Sequence, residues 1–239
     1  MNIAWGICGA GHLLKESVEV IKYLLDRKIN VTLYVSNAGY EVLRMYGLLD
    51  SLIKTFQRLD YPNDLIFEKN EGKSYPRTAR VYLGIYKYVV ISPATLNTMA
   101  KIVHGICDTL ITNLVAHALK AQVPTIIVPS DTDHEVKSKI PIMINRTSCK
   151  ECERCLVVSK CPERAIYLRS DGPHIDLLKC NLCKVCVYSC PRGAIITDVD
   201  VVIKPHPLVK KILEGLRNMG LIILEDPRHV LDVVSSMFL

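Results

Sequence analysis

The sequence lacks long hydrophobic runs, and this limits where the protein can reside. Apolar stretches such as "LIIL" at 221–224 are far shorter than the roughly 18 residues that a membrane span requires. The opening "MNIAWGICGAGH" has no basic segment and no signal-peptide cleavage site. We therefore expect a cytoplasmic chain with reduced thiols and no membrane partner.

Cysteine is abundant but very unevenly distributed. Of ten cysteines in 239 residues, eight lie between Cys149 and Cys190. A disulfide framework is typical of short secreted chains with little core, which this chain is not. The clustered thiols therefore predict a metal centre, and the spacing must decide between zinc and an iron–sulfur cluster.

The spacing favours iron and sulfur. Zinc sites usually pair two C-x-x-C hooks separated by a dozen or more residues. Here "CKECERCLVVSKCP" at 149–162 and "CNLCKVCVYSCP" at 180–191 each place three cysteines at x2 spacing before a Cys-Pro. The second stretch matches the ferredoxin run C-x2-C-x2-C-x3-C-P, whereas the first has x5 before its last cysteine. Zinc or unligated thiols remain the alternative.

The repeat also predicts which cysteines act together. "CPERAI" at 161 and "CPRGAI" at 190 are two copies of one unit, as expected for a pseudo-twofold module. In two-cluster ferredoxins the last cysteine of each run binds the other cluster. We therefore predict two [4Fe-4S] clusters with crossed ligand sets: Cys149, Cys152, Cys155 and Cys190 for one, and Cys180, Cys183, Cys186 and Cys161 for the other.

The remainder of the chain alternates buried strands and amphipathic helices. Continuous apolar runs predict strands, and apolar residues at helical spacing predict helices. The strands are predicted at 3–8, 31–35, 87–92 and 124–130, and the helices at 13–28 and 40–56. This pattern indicates an α/β fold, a flavodoxin- or Rossmann-like three-layer parallel sheet with helices on both faces.

The same pattern resumes after the cysteines. We predict a strand at 199–204, a helix at 208–218, a strand at 220–224 and a last helix from about Arg228. A bacterial-type 2[4Fe-4S] ferredoxin domain would thus be inserted into the α/β domain. The expected domains are 1–143 and 200–239 for the α/β part and 144–199 for the ferredoxin.

Two loops at the carboxyl ends of predicted strands are candidates for ligand binding. "GAGH" at 9–12 offers backbone N–H groups beside a helix start, which suits a phosphate, although a tight structural turn fits equally. It is not a dinucleotide fingerprint, because a third glycine and a later acidic residue are missing. Ser36 and Asn37 lie at the same edge, and helix capping is the alternative for them.

A third loop carries a family resemblance. "SPATLNTMAKIVHGICDTLITN" at 92–113 resembles the P-A-x-x-N-T-x-A-K-x-x-x-G-x-x-D-x-L stretch of the homo-oligomeric flavin-containing cysteine decarboxylase family. The resemblance covers about residues 1–140 and the tail from about 200. It implies FMN and a homo-oligomer, a trimer or a multiple of it. The flavin contacts that it implies are Gly9, Ala10, Gly11, His12, Ser36, Asn37, Ser92, Pro93, Ala94, Thr95 and Asn97.

The chemistry implied by the resemblance departs from decarboxylation. The P-x-M-N motif of that family is replaced by "PSDTD" at 129–133. The fusion is similar to archaeal flavoproteins with an inserted two-cluster ferredoxin, which implies a pterin-type acceptor, dihydromethanopterin, and an external low-potential donor such as ferredoxin. We therefore expect an iron–sulfur flavoprotein reductase, and the alternative is an electron-transfer shuttle without a small-molecule substrate. The sequence assigns no catalytic residue, and Asp131 and Asp133 are candidates for acid–base roles.

The formal charge of +6 does not indicate nucleic-acid binding. Two oxidised thiolate-bound clusters contribute about −2 each and a flavin phosphate about −2, which brings the sum close to zero. Among the other cysteines, Cys8 and Cys107 are expected to be buried small hydrophobic residues.

Overall fold

The computed structural model describes residues 1–150, 152 and 154–235. Within them, the main sheet has six strands: β1 (Asn2–Ile7), β2 (Asn30–Val35), β3 (Asp64–Phe67), β4 (Tyr88–Ala94), β5 (Thr125–Pro129) and β10 (Ile222–Ile223). All are parallel and lie in the order β10-β5-β4-β1-β2-β3, so that the chain changes its winding direction between β1 and β4. The predicted α/β fold with a parallel sheet is confirmed.

Helices cover both faces of this sheet, because each carries one apolar stripe. The helices of this domain are α1 (Leu14–Asp26), α2 (Asn37–Met45), α3 (Leu49–Phe56), α4 (Leu96–Val103), α5 (Leu110–Lys120), α8 (Val209–Asn218) and α9 (His229–Ser235). Helices α4, α5 and α8 bury side chains in one core, and α1, α2, α3 and α9 do so in the other. The central strands are buried on both faces, which explains their continuous apolar sequences.

One predicted helix is two. The segment 40–56 was expected to be continuous, but the chain turns at Gly47, whose φ is +67°. That left-handed conformation costs little only for glycine, and it ends α2 and lets α3 start in a new direction. Strand β3 and the 3-10 helices at Glu68–Asn70 and Pro76–Leu83 had no clear sequence signal.

The cysteine-rich segment is attached by a two-stranded antiparallel ribbon. Strand β6 (Val136–Ile144) pairs with β9 (Ile195–Ile203), and the Asn145 amide donates to the Ala194 carbonyl at 2.7 Å. The strand predicted at 199–204 is present as part of β9, but it pairs with β6 in this ribbon, whereas the α/β pattern implied a place in the main sheet. The apolar alternation of the segment could not distinguish the two partners.

Beyond the ribbon lies a small module with its own core. It contains α6 (Leu156–Lys160), α7 (Val185–Ser189) and a hairpin of β7 (Ile166–Arg169) and β8 (Gly172–Ile175). Its core combines a few aliphatic side chains with cysteines. Across the part of the chain that the structure describes, none of the helices has both the length and the apolar character needed to cross a bilayer.

Candidate functional site

A groove opens where β1, β4 and β5 end at the carboxyl edge of the sheet. Six of the residues predicted to bind a ligand line it: Gly9, Ala10, Gly11, His12, Thr95 and Asn97. Sequence reasoning missed three further lining residues: Leu96, Ser130 and Ile203. Ser130 directly follows a buried strand, a position from which its role at this edge could have been inferred.

The other predicted residues have different surroundings. Ser36 caps α2, since its Oγ accepts from the Gly39 amide at 3.0 Å. Ser92 is fully buried within β4, and its hydroxyl bonds to that of Ser17 at 2.8 Å. Asn37, Pro93 and Ala94 lie outside the groove lining. The edge of the sheet therefore brings together only part of the predicted set.

Asp131 has a structural partner at the groove. Its carboxylate accepts from the Leu96 amide at 3.0 Å and from the Ser130 hydroxyl at 2.8 Å, so that it stabilises the first turn of α4. His12 is partly buried, and burial lowers the pKa of its imidazole. Asp133, in contrast, contacts His134 at the surface.

Glu68 fixes the neighbouring helix starts and was missed from the sequence. Its buried carboxylate accepts from the Asn37 amide at 2.7 Å and from the Leu110 amide at 2.9 Å. A negative charge at two helix N-termini is favourable on both sides. The contacts span 31 and 42 residues of sequence, and no local pattern predicts them.

The eight clustered cysteines line two separate cavities in the module. One cavity, of about 480 Å³, is lined by Cys149, Cys152, Cys155 and Cys190. The second is narrower and is lined by Cys161, Cys180, Cys183 and Cys186. The grouping of cysteines is the crossed one that the repeat predicts.

The thiols influence each other within each group. Burial, followed by Cys155, Cys190 and Cys152, raises the pKa of Cys149. Burial, followed by Cys180, Cys183 and Cys161, raises the pKa of Cys186 to about 11. Four mutually close thiols must release protons on binding a metal cluster, and the positive cluster irons supply the charge that favours this.

A single metal ion and a cubane require different spacing of the thiolates. Among the described residues, no three His, Cys, Asp or Glu side chains converge closely enough to hold one metal ion. Four thiolates around one zinc would each lie about 2.3 Å from it. The four thiolates of a cubane each bind a different iron and lie farther apart.

The two halves of the module also hold their last cysteines alike. The Ala165 amide donates to the Cys161 Sγ at 3.3 Å, and the Ala194 amide donates to the Cys190 Sγ at 3.4 Å. Hydrogen bonds to cysteine sulfur are among the features that set a cluster potential. The repeated sequence thus produces a repeated sulfur environment.

The two remaining cysteines behave differently from each other. Cys8 is buried as expected, and burial raises the pKa of its thiol to about 11. Cys107 is exposed, so the prediction that it is buried is wrong. It lies in the loop between α4 and α5, where the apolar pattern continues although the helix does not.

Comparisons with known proteins agree with both parts of the molecule. The family model described as "Flavoprotein" matches residues 1–148, and the "4Fe-4S binding domain" model matches residues 173–196. A dihydromethanopterin reductase (acceptor) from Methanosarcina mazei is 40% identical, over 97% of this chain and 98% of the relative. The chain belongs to the flavoprotein family. It is an iron–sulfur flavoprotein of an oxidoreductase group.

Further relatives support this assignment. A dihydromethanopterin reductase (acceptor) from Methanocaldococcus jannaschii is 44% identical, over 74% of this chain and 72% of the relative. The fold is shared with Burkholderia xenovorans DmrB, solved in complex with FMN and described as a cubic protein cage for redox transfer. The TM-score is 0.62 at 21% identity, covering 99% of this chain and 94% of that one.

A decarboxylase shares the fold as well. The FMN-dependent cysteine decarboxylase TvaF matches with a TM-score of 0.51 at 14% identity, covering 98% of this chain and 94% of that one. The resemblance drawn from the 92–113 stretch is thereby confirmed at the level of the fold.

In this flavoprotein the module rests on the turn between α2 and α3. Arg44 pairs with Glu163 at 2.8 Å, and Glu163 also accepts from the Asn181 amide group at 3.1 Å. Gly47 faces Asn181 and Leu182, so closely that a Cβ there would lie 3.2 and 3.3 Å from them. These three module residues all line the narrower cavity.

A second set of contacts joins the ribbon to the groove. Lys15 of α1 pairs with Asp198 of β9 at 2.5 Å. The Tyr46 hydroxyl donates to the Lys139 carbonyl of β6 at 2.8 Å. The Tyr46 ring lies where a Cβ at Gly11 would be, so that this ring packs directly on the glycine turn of the groove.

Proposed function

We propose that this flavoprotein takes electrons from an external low-potential donor of the ferredoxin type and uses them to reduce dihydromethanopterin to tetrahydromethanopterin. The electrons pass through two [4Fe-4S] clusters and an FMN. When bound, the clusters move single electrons, and the flavin accepts them singly and delivers two with a proton to an organic acceptor. The substrate is suggested by the relatives named dihydromethanopterin reductase.

The observation that carries this proposal is the pair of four-cysteine cavities beside a flavoprotein domain. Each cavity combines three cysteines of one run with the last cysteine of the other, which is the arrangement that two clusters need. We assign the ligands accordingly: Cys149, Cys152, Cys155 and Cys190 hold one cluster, and Cys161, Cys180, Cys183 and Cys186 hold the other.

We also propose that the groove holds the FMN. The glycine turn offers backbone N–H groups to the phosphate, as a helix N-terminus next to a glycine loop commonly does. Asn97 and Thr95 offer further polar groups in the lining of the groove. The buried residues then support the groove from behind: Ser36, Ser92, Pro93 and Ala94. The exposed Asn37 is available to a flavin across a subunit interface.

The domain limits remain a proposal with one refinement. We assign 1–143 and 200–239 to the flavin domain and 144–199 to the ferredoxin module. The ribbon strands β6 and β9 cross both limits, so that the covalent connection is itself a structural element.

We further propose a homo-oligomer, a trimer or a multiple of it, which sedimentation can measure. Unoxidised cluster cysteines suit a reducing compartment such as the cytoplasm.

Anaerobic purification tests the proposal. Iron, sulfide and flavin assays are expected to give about eight irons, eight sulfides and one flavin per chain. Adding dihydromethanopterin to the reduced protein is then expected to reoxidise both cofactor types. A reduced protein whose spectrum stays unchanged after this addition would rule out the pterin as the acceptor.

An electron shuttle is the second candidate. Cys152 and Cys183, one at each cavity, are exposed, which is favourable for contact with redox proteins. Steady-state turnover separates the two functions. A shuttle exchanges electrons with protein partners only, whereas a reductase turns over with a small acceptor in the absence of a second protein.

A further inference from the structure

The two cysteine cavities differ in how they relate to the flavin domain. The larger cavity is lined entirely by residues between 144 and 195. The narrower cavity is lined by Glu163, Asn181 and Leu182, which contact Arg44 and Gly47 of the flavin domain. The pseudo-twofold symmetry of the module is therefore broken where it meets the rest of the chain.

Both loops of the narrower cavity are held at this contact. Glu163 follows Cys161-Pro162, and Asn181 follows Cys180, and a hydrogen bond joins the two side chains at 3.1 Å. Arg44 pairs with Glu163 and also donates to the Leu178 carbonyl at 3.4 Å. The flavin domain thus positions the cysteine loops themselves and not only the ribbon that carries them.

From this contact a continuous packed path leads to the groove. Leu182 lies between Cys180 and Cys183 and touches Gly47. Tyr46 directly precedes Gly47, and its ring packs on Gly11 in the glycine turn. One short segment of the flavin domain therefore contacts a cluster loop at one end and the flavin groove at the other.

We propose that the Tyr46–Gly47 turn is the junction through which electrons enter the flavin domain. The cluster held by Cys161, Cys180, Cys183 and Cys186, which we call the proximal cluster, is then the immediate donor to the flavin of the same chain. The other, distal cluster receives electrons from the external one-electron donor. This inference rests on the proposed function for its cofactors, but it specifies an order of the clusters that the proposed function leaves open.

The electron balance is complete with one external reductant. The donor gives up two electrons in two separate steps, and each electron passes through the distal and then the proximal cluster. The flavin takes up both electrons together with protons from solvent, and both clusters return to their oxidised state. No bond within the protein is made or broken.

Gly47 offers a test with a matched control. Gly47 and Gly84 have nearly identical left-handed conformations, with φ of +67° and +66°, but a Cβ at Gly84 would meet nothing within 4 Å. Gly47→Leu and Gly84→Leu therefore introduce the same backbone strain. Only the first also pushes the 180–183 loop away from the flavin domain.

The experiment uses the anaerobic holoprotein loaded with both clusters and flavin. After a pulse of photoreductant, flavin bleaching and the cluster paramagnetic signal are followed in time. We expect flavin reduction to be at least several-fold slower in Gly47→Leu than in Gly84→Leu, with equal iron, sulfide and flavin contents. Hydrogen exchange should increase at 178–183 in Gly47→Leu alone.

Equal rates in the two variants would overturn the junction and indicate that electrons leave the module by another route, such as the flavin of a second copy. Should Gly47→Leu fail to fold, Glu163→Arg weakens the same contact, and adding Arg44→Glu is expected to restore the rate. An unrestored rate would also count against the junction. This experiment does not use dihydromethanopterin, so the junction can be tested even if that pterin is not the substrate. A protein that lacks the flavin or a cluster would overturn both the junction and the proposed function.

Discussion

The two halves of the ferredoxin module share a sequence unit and differ in two ways. In the second half, α7 begins before Cys186 and includes it, and this cysteine is buried. In the first half, two additional residues place all of α6 between Cys155 and Cys161, and Cys155 precedes the helix. The longer loop leaves all four ligand positions in place, and the cavity beside it is the larger one.

The second difference is the residue after each Cys-Pro. The first half has Glu163 and the second has Arg192 at the equivalent position. The acidic residue pairs with Arg44 of the flavin domain. The two copies of the unit thus share their cysteines, while the first copy also carries an ion pair with the flavin domain. On the proposed order of the clusters, this single difference between the copies sets which cluster lies next to the flavin.

The largest expected effect comes from removing one cluster at a time. Cys186→Ala and Cys155→Ala should each lower the iron content from about eight to about four per chain. Cys186→Ala is expected to abolish the fast flavin reduction, because the proximal cluster is lost, while Cys155→Ala retains it when a small photoreductant replaces the protein donor. Iron assays and anaerobic stopped-flow absorbance measure both. Equal loss of flavin reduction in the two variants would contradict an asymmetric module.

A smaller effect is expected at the turn after each Cys-Pro. Arg164 and Gly193 are equivalent and both left-handed, with φ of +49° and +58°. Gly193→Ala should destabilise the module by about 1–2 kcal/mol, whereas Arg164→Gly should stabilise it by up to about 1 kcal/mol. Thermal loss of cluster absorbance checks this. If both variants change the stability of the module in the same direction, the left-handed backbone conformation does not determine stability at these two turns.

The docking ion pair should contribute less. Arg44 and Glu163 are each about one third exposed, so the pair is partly screened by solvent. Glu163→Arg is expected to cost about 0.2–1 kcal/mol in the stability of the module on the flavin domain. The double variant Arg44→Glu/Glu163→Arg should recover most of it. Urea unfolding at low and high salt measures the effect. The matched control changes the equivalent residue of the second half, and combining Arg192→Glu with Arg44→Glu should not recover stability.

The smallest effect concerns Asp198 of the ribbon strand β9, which contacts α1. A hydrogen bond from Lys15 lowers the pKa of Asp198. Ionised Asp198 therefore stabilises the folded state fully at pH values above its pKa in the unfolded chain, about 3.9. This stabilisation is lost as the pH falls through the lower pKa of the folded state. Asp198→Asn should therefore cost up to about 1 kcal/mol, equally at pH 8, 6.5 and 5. A difference that shrinks between pH 8 and pH 5 in thermal unfolding would contradict this assignment.

Local sequence predicted the grouping of the cysteines and the sheet more fully than the groove. The cysteine spacing directly reflects loops that wrap a cluster, and the apolar runs directly reflect strands buried on both faces. Helix capping was the alternative expected for Ser36, and the structure shows it, whereas the burial of Ser92 inside β4 depends on packing across the sheet. Glu68 acts across 31 and 42 residues of chain, beyond any local pattern.

The ribbon has a consequence for how such a protein could arise. Because β6 and β9 run side by side, the chain leaves the flavin domain and returns to it at neighbouring points. An ancestral flavin domain would need only a hairpin turn at this place, where an electron-carrying insertion could be gained or lost in evolution without rethreading the sheet. Replacing residues 145–194 by a two-residue turn would then recreate a cluster-free flavin domain.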